Sequence, residues 1–125
     1  MKKKIILVLE DEKPLQEAII FKLKKNDFEV VSAQTVKQAL DYMEEIKNIC
    51  VMWVDHYVLG KEDGLYFVSR VKTNKKWKSI PIFVVSNTAS PDKVHSYLSL
   101  GVEKYFVKSE KKLDEIILDI KKEIV

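Results

Sequence analysis

At 125 residues, 46% hydrophobic and 33% charged, the chain has the size and make-up of one globular domain with a core of its own. No apolar run approaches a membrane span, the start "MKKKIILVLE" turns acidic too soon for a signal peptide, and a lone cysteine, Cys50, excludes an internal disulfide. The formal charge is +3, and the basic clusters "KKK" (2–4), "KLKK" (22–25), "KKWK" (75–78) and "KKL" (111–113) are interleaved with acids, which argues against a nucleic-acid stripe.

Five short β-rich runs alternate with helix-like stretches. The first run, "KIILVL" (4–9), precedes a helix with Leu15, Ala18, Ile19 and Leu23 on one face and Pro14 in its first turn. "EVVSA" (29–33) leads to Thr35, an N-cap candidate, and a face of Val36, Ala39, Leu40 and Met43. "ICVMWV" (49–54) is followed, past Gly64, by Leu65, Val68 and Val71. "PIFVVS" (81–86) leads through "SPD" to an apolar face of Val94, Tyr97 and Leu98, closed by a capping Gly101. "KYFV" (104–107) precedes the cleanest stripe: Leu113, Ile116, Ile117, Ile120 and Ile124. Trp77, among lysines, reads as cover for a core edge.

Continuous apolar strands separated by helices predict an α/β fold, a five-stranded parallel sheet with helices on both faces. Five such units most often wind in the order 2-1-3-4-5, with strands one and three adjacent at the switch point where ligands bind. Glu10, Asp11 and Glu12 follow the first strand there, and Asp55 follows the third. Gathered carboxylates repel, and an oxygen-loving divalent cation such as Mg²⁺ relieves them. Acids at a helix start explain Glu12 as a simple capping preference, but not Asp55. Ser86 ends the fourth strand and Lys108 follows the fifth. Acid, acid, hydroxyl and ammonium facing one crevice suit a phosphoryl group, and aspartate is a known nucleophile for forming an aspartyl-phosphate.

"ILVLEDE", "VDHYVLGKEDG", "IFVVSNTAS" and "GVEKYFVKS", in that order at four strand ends, resemble the motifs of response-regulator receiver domains in two-component signalling. The resemblance covers essentially the whole chain and implies a single receiver domain over 1–125 with no output domain in this chain. It implies Asp55 as phosphoacceptor and a Mg²⁺ held by Glu10, Asp11, Asp55 and the backbone carbonyl of Tyr57, with Glu10 acting through water. It also implies Ser86 and Lys108 as contacts to the phosphoryl oxygens, and Ser86 with Tyr105 as the switch. The implied partners are a histidine kinase or histidine phosphotransfer protein upstream and a protein target downstream. The chain would be a monomer or a weak phosphorylation-dependent dimer in the cytoplasm, without direct nucleic-acid or membrane binding. It would be a signalling phosphoacceptor rather than an enzyme.

The sequence departs from the family pattern at Glu10, where aspartate is common, at Leu59, where proline is frequent, and at Asn87, where a small residue is usual. Ser109 replaces the proline that normally follows the lysine through a cis bond. A cis bond before serine costs about 3 kcal/mol more than trans, so either the chain bears that strain or the Lys108 loop takes another shape. A phosphatase using an aspartyl nucleophile is opposed by Tyr57, which stands where such enzymes need a second aspartate. A flavodoxin-like nucleotide site is opposed by "EDE", which would repel a phosphate. The remaining alternative is a phosphorylation-independent interaction module. His56 is expected along the crevice wall and His95 on the surface.

Overall fold

The computed structural model describes residues 3–88 and 90–124. The first lysine of "KKK", Ala89 within "IFVVSNTAS", and Val125 lie outside them. The elements alternate as expected: β1 (Lys4–Leu9), α1 (Lys13–Lys25), β2 (Phe28–Ala33), α2 (Val36–Glu45), β3 (Ile49–Val54), α3 (Gly64–Lys72), β4 (Ile82–Ser86), α4 (Pro91–Ser99), β5 (Lys104–Val107) and α5 (Leu113–Glu123). All strand pairs are parallel, in the order β2-β1-β3-β4-β5. Phe28 joins β2, whereas Pro81 stays outside β4. Proline has no N–H to give the ladder, but its carbonyl still accepts from Met52 N–H at 3.0 Å.

Strand periodicity divides the core into two layers. Leu7, Leu9, Met52, Val54, Ile82 and Val84 face α2, α3 and α4, where they pack with Val36, Met43, Phe67, Val71 and Tyr97. Ile6, Val8, Val51, Trp53, Phe83 and Val85 face α1 and α5, meeting Ile19, Leu23, Ile116, Ile117 and Ile120. Each such side chain, fully buried, contributes roughly 1.5–3 kcal/mol relative to exposure. Trp77 is buried at the edge of the first layer.

Local signals behave as their chemistry predicts. The Thr35 hydroxyl accepts from Gln38 N–H at 3.1 Å, and Asp63 caps α3 by accepting from Tyr66 N–H at 2.9 Å. Gly101, at φ +92°, follows α4 as the expected cap. The expected inward face of α4 needs correction. Tyr97 is its only fully buried residue, Val94 is half-buried, and Leu98 is 48% exposed. Leu98 follows Tyr97 directly, so one helical step of about 100° turns it away from the sheet.

Gly64 opens α3 against the end of β3, and its N–H bonds the His56 carbonyl at 2.9 Å. A Cβ at this position would run into the Asp55 carbonyl oxygen and lie 2.8 Å from the Tyr97 hydroxyl. Gly64→Ala is therefore expected to cost about 2 kcal/mol or more by overpacking against backbone. A denaturant midpoint equal to wild type would show that this approach is not tight.

Candidate functional site

The sheet order places the ends of β1 and β3 side by side, and Leu9 pairs with Val54 in the last register position. Glu10 and Asp55 therefore leave neighbouring strands together, with Asp55 N–H still bonded to the Leu9 carbonyl at 3.0 Å. Glu10, Asp11 and Asp55 each offer a carboxylate oxygen, and these oxygens all lie within 4.8 Å of one another. Glu10 and Asp55 are buried, and Asp11 is half-buried.

Lys108 enters the cluster from the β5 side. Its Nζ donates to Asp55 Oδ2 at 2.8 Å and lies 2.9 Å from Glu10 Oε1. The second approach is close enough for ionic attraction but off the hydrogen-bonding direction, so this buried Glu10 oxygen has no hydrogen-bond partner. The other Glu10 oxygen accepts from Glu12 N–H at 3.1 Å. Burial raises the Glu10 pKa, Lys108 pulls it back, and the negative charge of Asp55 pushes it up again. Burial alone would lower the Lys108 pKa, but the bond to Asp55 and the ionic contact with Glu10 outweigh it and the net shift is upward. One lysine among three carboxylates leaves surplus negative charge. The orphaned Glu10 oxygen and the all-oxygen donor set fit a hard divalent cation.

The Lys108–Ser109 bond is trans, since no cis peptide occurs among the described residues. Of the two shapes left open by Ser109, the loop takes the one without a cis bond, and Lys108 still reaches Asp55. Ser86 is fully buried at the end of β4, where its Oγ accepts from Thr88 N–H at 3.3 Å. Tyr105 is half-buried and its hydroxyl donates to the Thr88 carbonyl at 2.7 Å. Thr88 thus stands between Ser86 and Tyr105. The Tyr57 side chain is 57% exposed, edge-on to the His56 ring.

Three residues of this neighbourhood carry more than the sequence suggested. His56, expected on the crevice wall, is buried: its N–H donates to Asp55 Oδ1 at 2.7 Å and its ring Nδ1 lies 2.6 Å from the Tyr97 hydroxyl. Burial lowers the His56 pKa and raises that of Tyr97, so both groups are neutral. With Nδ1 unprotonated, the ring accepts from the Tyr97 hydroxyl and turns Nε2–H toward Asp63 Oδ2, which at 3.9 Å is beyond hydrogen-bond reach. Gln16 fixes the end of β1 by donating to the carbonyls of Glu10 at 2.9 Å and Ala33 at 3.3 Å. The signal for Gln16 was present: it is a polar residue three positions before the buried Ile19 on the inner stripe of α1. No local signal marks the His56–Tyr97 bond, whose partners are 41 residues apart. His95 is exposed, as expected.

Comparison with known proteins places this geometry in context. The response regulator receiver domain family matches residues 6–121. Among curated relatives, the phosphate regulon transcriptional regulatory protein PhoB of Escherichia coli is 26% identical over 107 residues, covering 82% of this chain and 44% of PhoB. The chain thus spans less than half the length of that relative. The Mn²⁺-bound form of response regulator Rcp1 is 25% identical, with a TM-score of 0.79, and the match covers 92% of this chain and 88% of Rcp1. A response regulator receiver protein from Pseudomonas putida shares the fold, with a TM-score of 0.89 at 23% identity and 98% of both chains covered. With the family matched over nearly its whole length, and the acids and lysine gathered at the strand ends, this chain belongs to the response regulator receiver domains of two-component systems.

Proposed function

We propose that residues 1–125 act as a single phosphorelay receiver in which Asp55 accepts a phosphoryl group from a phosphohistidine. The donor would be a histidine kinase or a histidine phosphotransfer protein. The observation that carries this reading is the Lys108 ammonium on Asp55 Oδ2, inside a buried acidic cluster that one lysine cannot neutralise. An Asp55 carboxylate oxygen attacks phosphorus in line. The P–O bond forms as the P–N bond breaks, and the electron pair returns to the imidazole, which takes up a proton. Lys108 meets the phosphoryl oxygens as a point charge, and the Ser86 hydroxyl donates to one of them.

Glu10 (through water), Asp11, Asp55 and the Tyr57 carbonyl would hold Mg²⁺, which supplies neutralisation of the phosphoryl oxygens when bound. The chain assists only its own phosphorylation and dephosphorylation. Once Ser86 turns to the phosphoryl group it gives up its contact with Thr88, whose carbonyl holds Tyr105. That loss biases the face made by α4, β5 and α5 toward binding a downstream protein. On this reading the chain works in the cytoplasm as a monomer or a phosphorylation-dependent dimer. Asn87 and Ser109, as departures from the family pattern, favour a phosphorylation-independent module, but Lys108 meets Asp55 despite Ser109, which leaves that alternative with Asn87 alone.

Incubation with acetyl phosphate and Mg²⁺ is expected to add one phosphoryl group to the intact mass. Omitting Mg²⁺ or substituting Asp55→Asn should abolish the gain. Undiminished uptake by folded Asp55→Asn protein would sink the assignment.

The raised Glu10 pKa gives a second expectation. Its protonated form suits the fold better, so its contribution to stability is complete below its ordinary value of 4.5 and is lost as pH rises through the raised value. Metal-free Glu10→Gln should therefore be at least as stable as wild type at neutral pH, with a flatter stability profile between mildly acid and neutral pH. The same variant should lose most of the Mg²⁺-induced rise in Tm. Thermal melts across pH, with and without Mg²⁺, check both. A variant that keeps the full Mg²⁺ response would remove Glu10 from the cation site.

A further inference from the structure

His56 and Tyr97 form a buried polar pair for which the phosphoryl chemistry proposed above has no use. Tyr97 is fully inaccessible and His56 is 3% exposed. Polar groups so deeply buried are costly unless they are hydrogen-bonded, and an apolar pair would fill the space with less constraint. The bond between them is short, 2.6 Å, and it joins α4 to the residue directly after Asp55.

Residue 56 is held on three sides. Its N–H donates to Asp55 Oδ1 at 2.7 Å, its carbonyl accepts from Gly64 N–H at 2.9 Å, and its ring meets the Tyr97 hydroxyl. Gly64 is also where an added methyl would collide with the Asp55 carbonyl and crowd the Tyr97 hydroxyl, so this junction is packed without slack. On the other side, Tyr97 is the only fully buried residue of α4, and its ring centroid lies 5.6 Å from that of Tyr105. The helix is therefore anchored to the sheet chiefly through the side chain that bonds His56.

We propose that Tyr97 is a positioning residue for Asp55. By fixing the His56 ring it fixes the peptide whose N–H orients the Asp55 carboxylate, and it ties that carboxylate to α4. The inference rests on the reading of Asp55 as phosphoacceptor. The route differs from the one through Ser86, Thr88 and Tyr105, and the two meet at the contact of the Tyr97 and Tyr105 rings. Coupling of this kind is reciprocal in equilibrium terms: a change at Asp55 shifts the affinity of α4 for a partner, and a partner bound on α4 shifts the phosphorylation equilibrium of Asp55 by the same factor.

The test compares wild type, Tyr97→Phe, His56→Phe and the double variant. Phosphorylation by acetyl phosphate with Mg²⁺ is followed by intact mass, and the α4 amides by NMR. Tyr97→Phe is expected to fold, to keep Asp55-dependent uptake of one group, and to react about fivefold more slowly. Its phosphorylation-induced amide shifts over 91–99 should shrink, and His56→Phe should add no further loss of rate in the same background. If Tyr97→Phe does not fold, His56→Phe breaks the bond from the other end and carries the same expectation. A variant with lowered Tm but wild-type rate and wild-type α4 response would overturn the proposal, leaving the pair a packing element. If wild type takes up no phosphoryl group, the phosphoacceptor reading fails, and the coupling is judged on its own by a cycle of Asp55→Asn with Tyr97→Phe. Non-additivity of about threefold or more in the unfolding constant supports the coupling, and additive effects overturn it.

Discussion

The ammonium of Lys108 sits within 3 Å of carboxylate oxygens from both Glu10 and Asp55, in a place where neither acid can find enough water. Removing ions from water costs several kcal/mol each in practice, and an ion pair recovers that only with good geometry. Here the geometry is good on Asp55 and incomplete on Glu10, whose second oxygen is left without a hydrogen bond. The cluster therefore stands in an unbalanced state, negative and partly unsatisfied. A resting structural salt bridge has no need of that imbalance. On the proposed reading the imbalance has a use, because the site would receive a cation and a phosphoryl group.

The remainder of the fold can be read as the mount for this imbalance. Three apolar strands, β1, β3 and β4, are buried on both faces, so their ends cannot drift. The residues just beyond them inherit that rigidity. Gln16 ties the end of β1 to the end of β2 through the carbonyls of Glu10 and Ala33. Around Asp55 the backbone is closed by Leu9 on one side and, through His56, by Gly64 on the other. Pre-organisation of this kind is what electrostatic stabilisation of a transferring group requires.

Rigidity ends at α4. The helix buries a single residue completely, leaves Leu98 in solvent, and meets the site through Tyr97, whose ring lies edge-on to His56 and whose hydroxyl bonds it. Few buried apolar contacts mean a low cost for displacement. A stiff charged centre next to a loosely seated helix is a physical basis for a switch, because a local change in charge has one element it can move without breaking the core.

The sequence by itself determined the architecture and the chemical groups. Alternating apolar runs and striped helices allow only a covered parallel sheet, and Glu10, Asp11, Asp55, Ser86 and Lys108 are legible because each breaks or ends an apolar run where burial would otherwise continue. Thr35 and Gly101 were equally legible, since capping chemistry acts within a few residues. Tertiary structure alone decided three things. The Lys108–Ser109 bond is trans and still delivers the ammonium, because loop shape depends on what the rest of the fold leaves open. Leu98 faces solvent, because helical spacing defines a stripe but not its width, and only the sheet beneath sets how much of it is covered. His56 and Tyr97 bond across 41 residues, because a long-range contact between two polar side chains leaves no periodicity in the chain and exists only once β3 and α4 have packed.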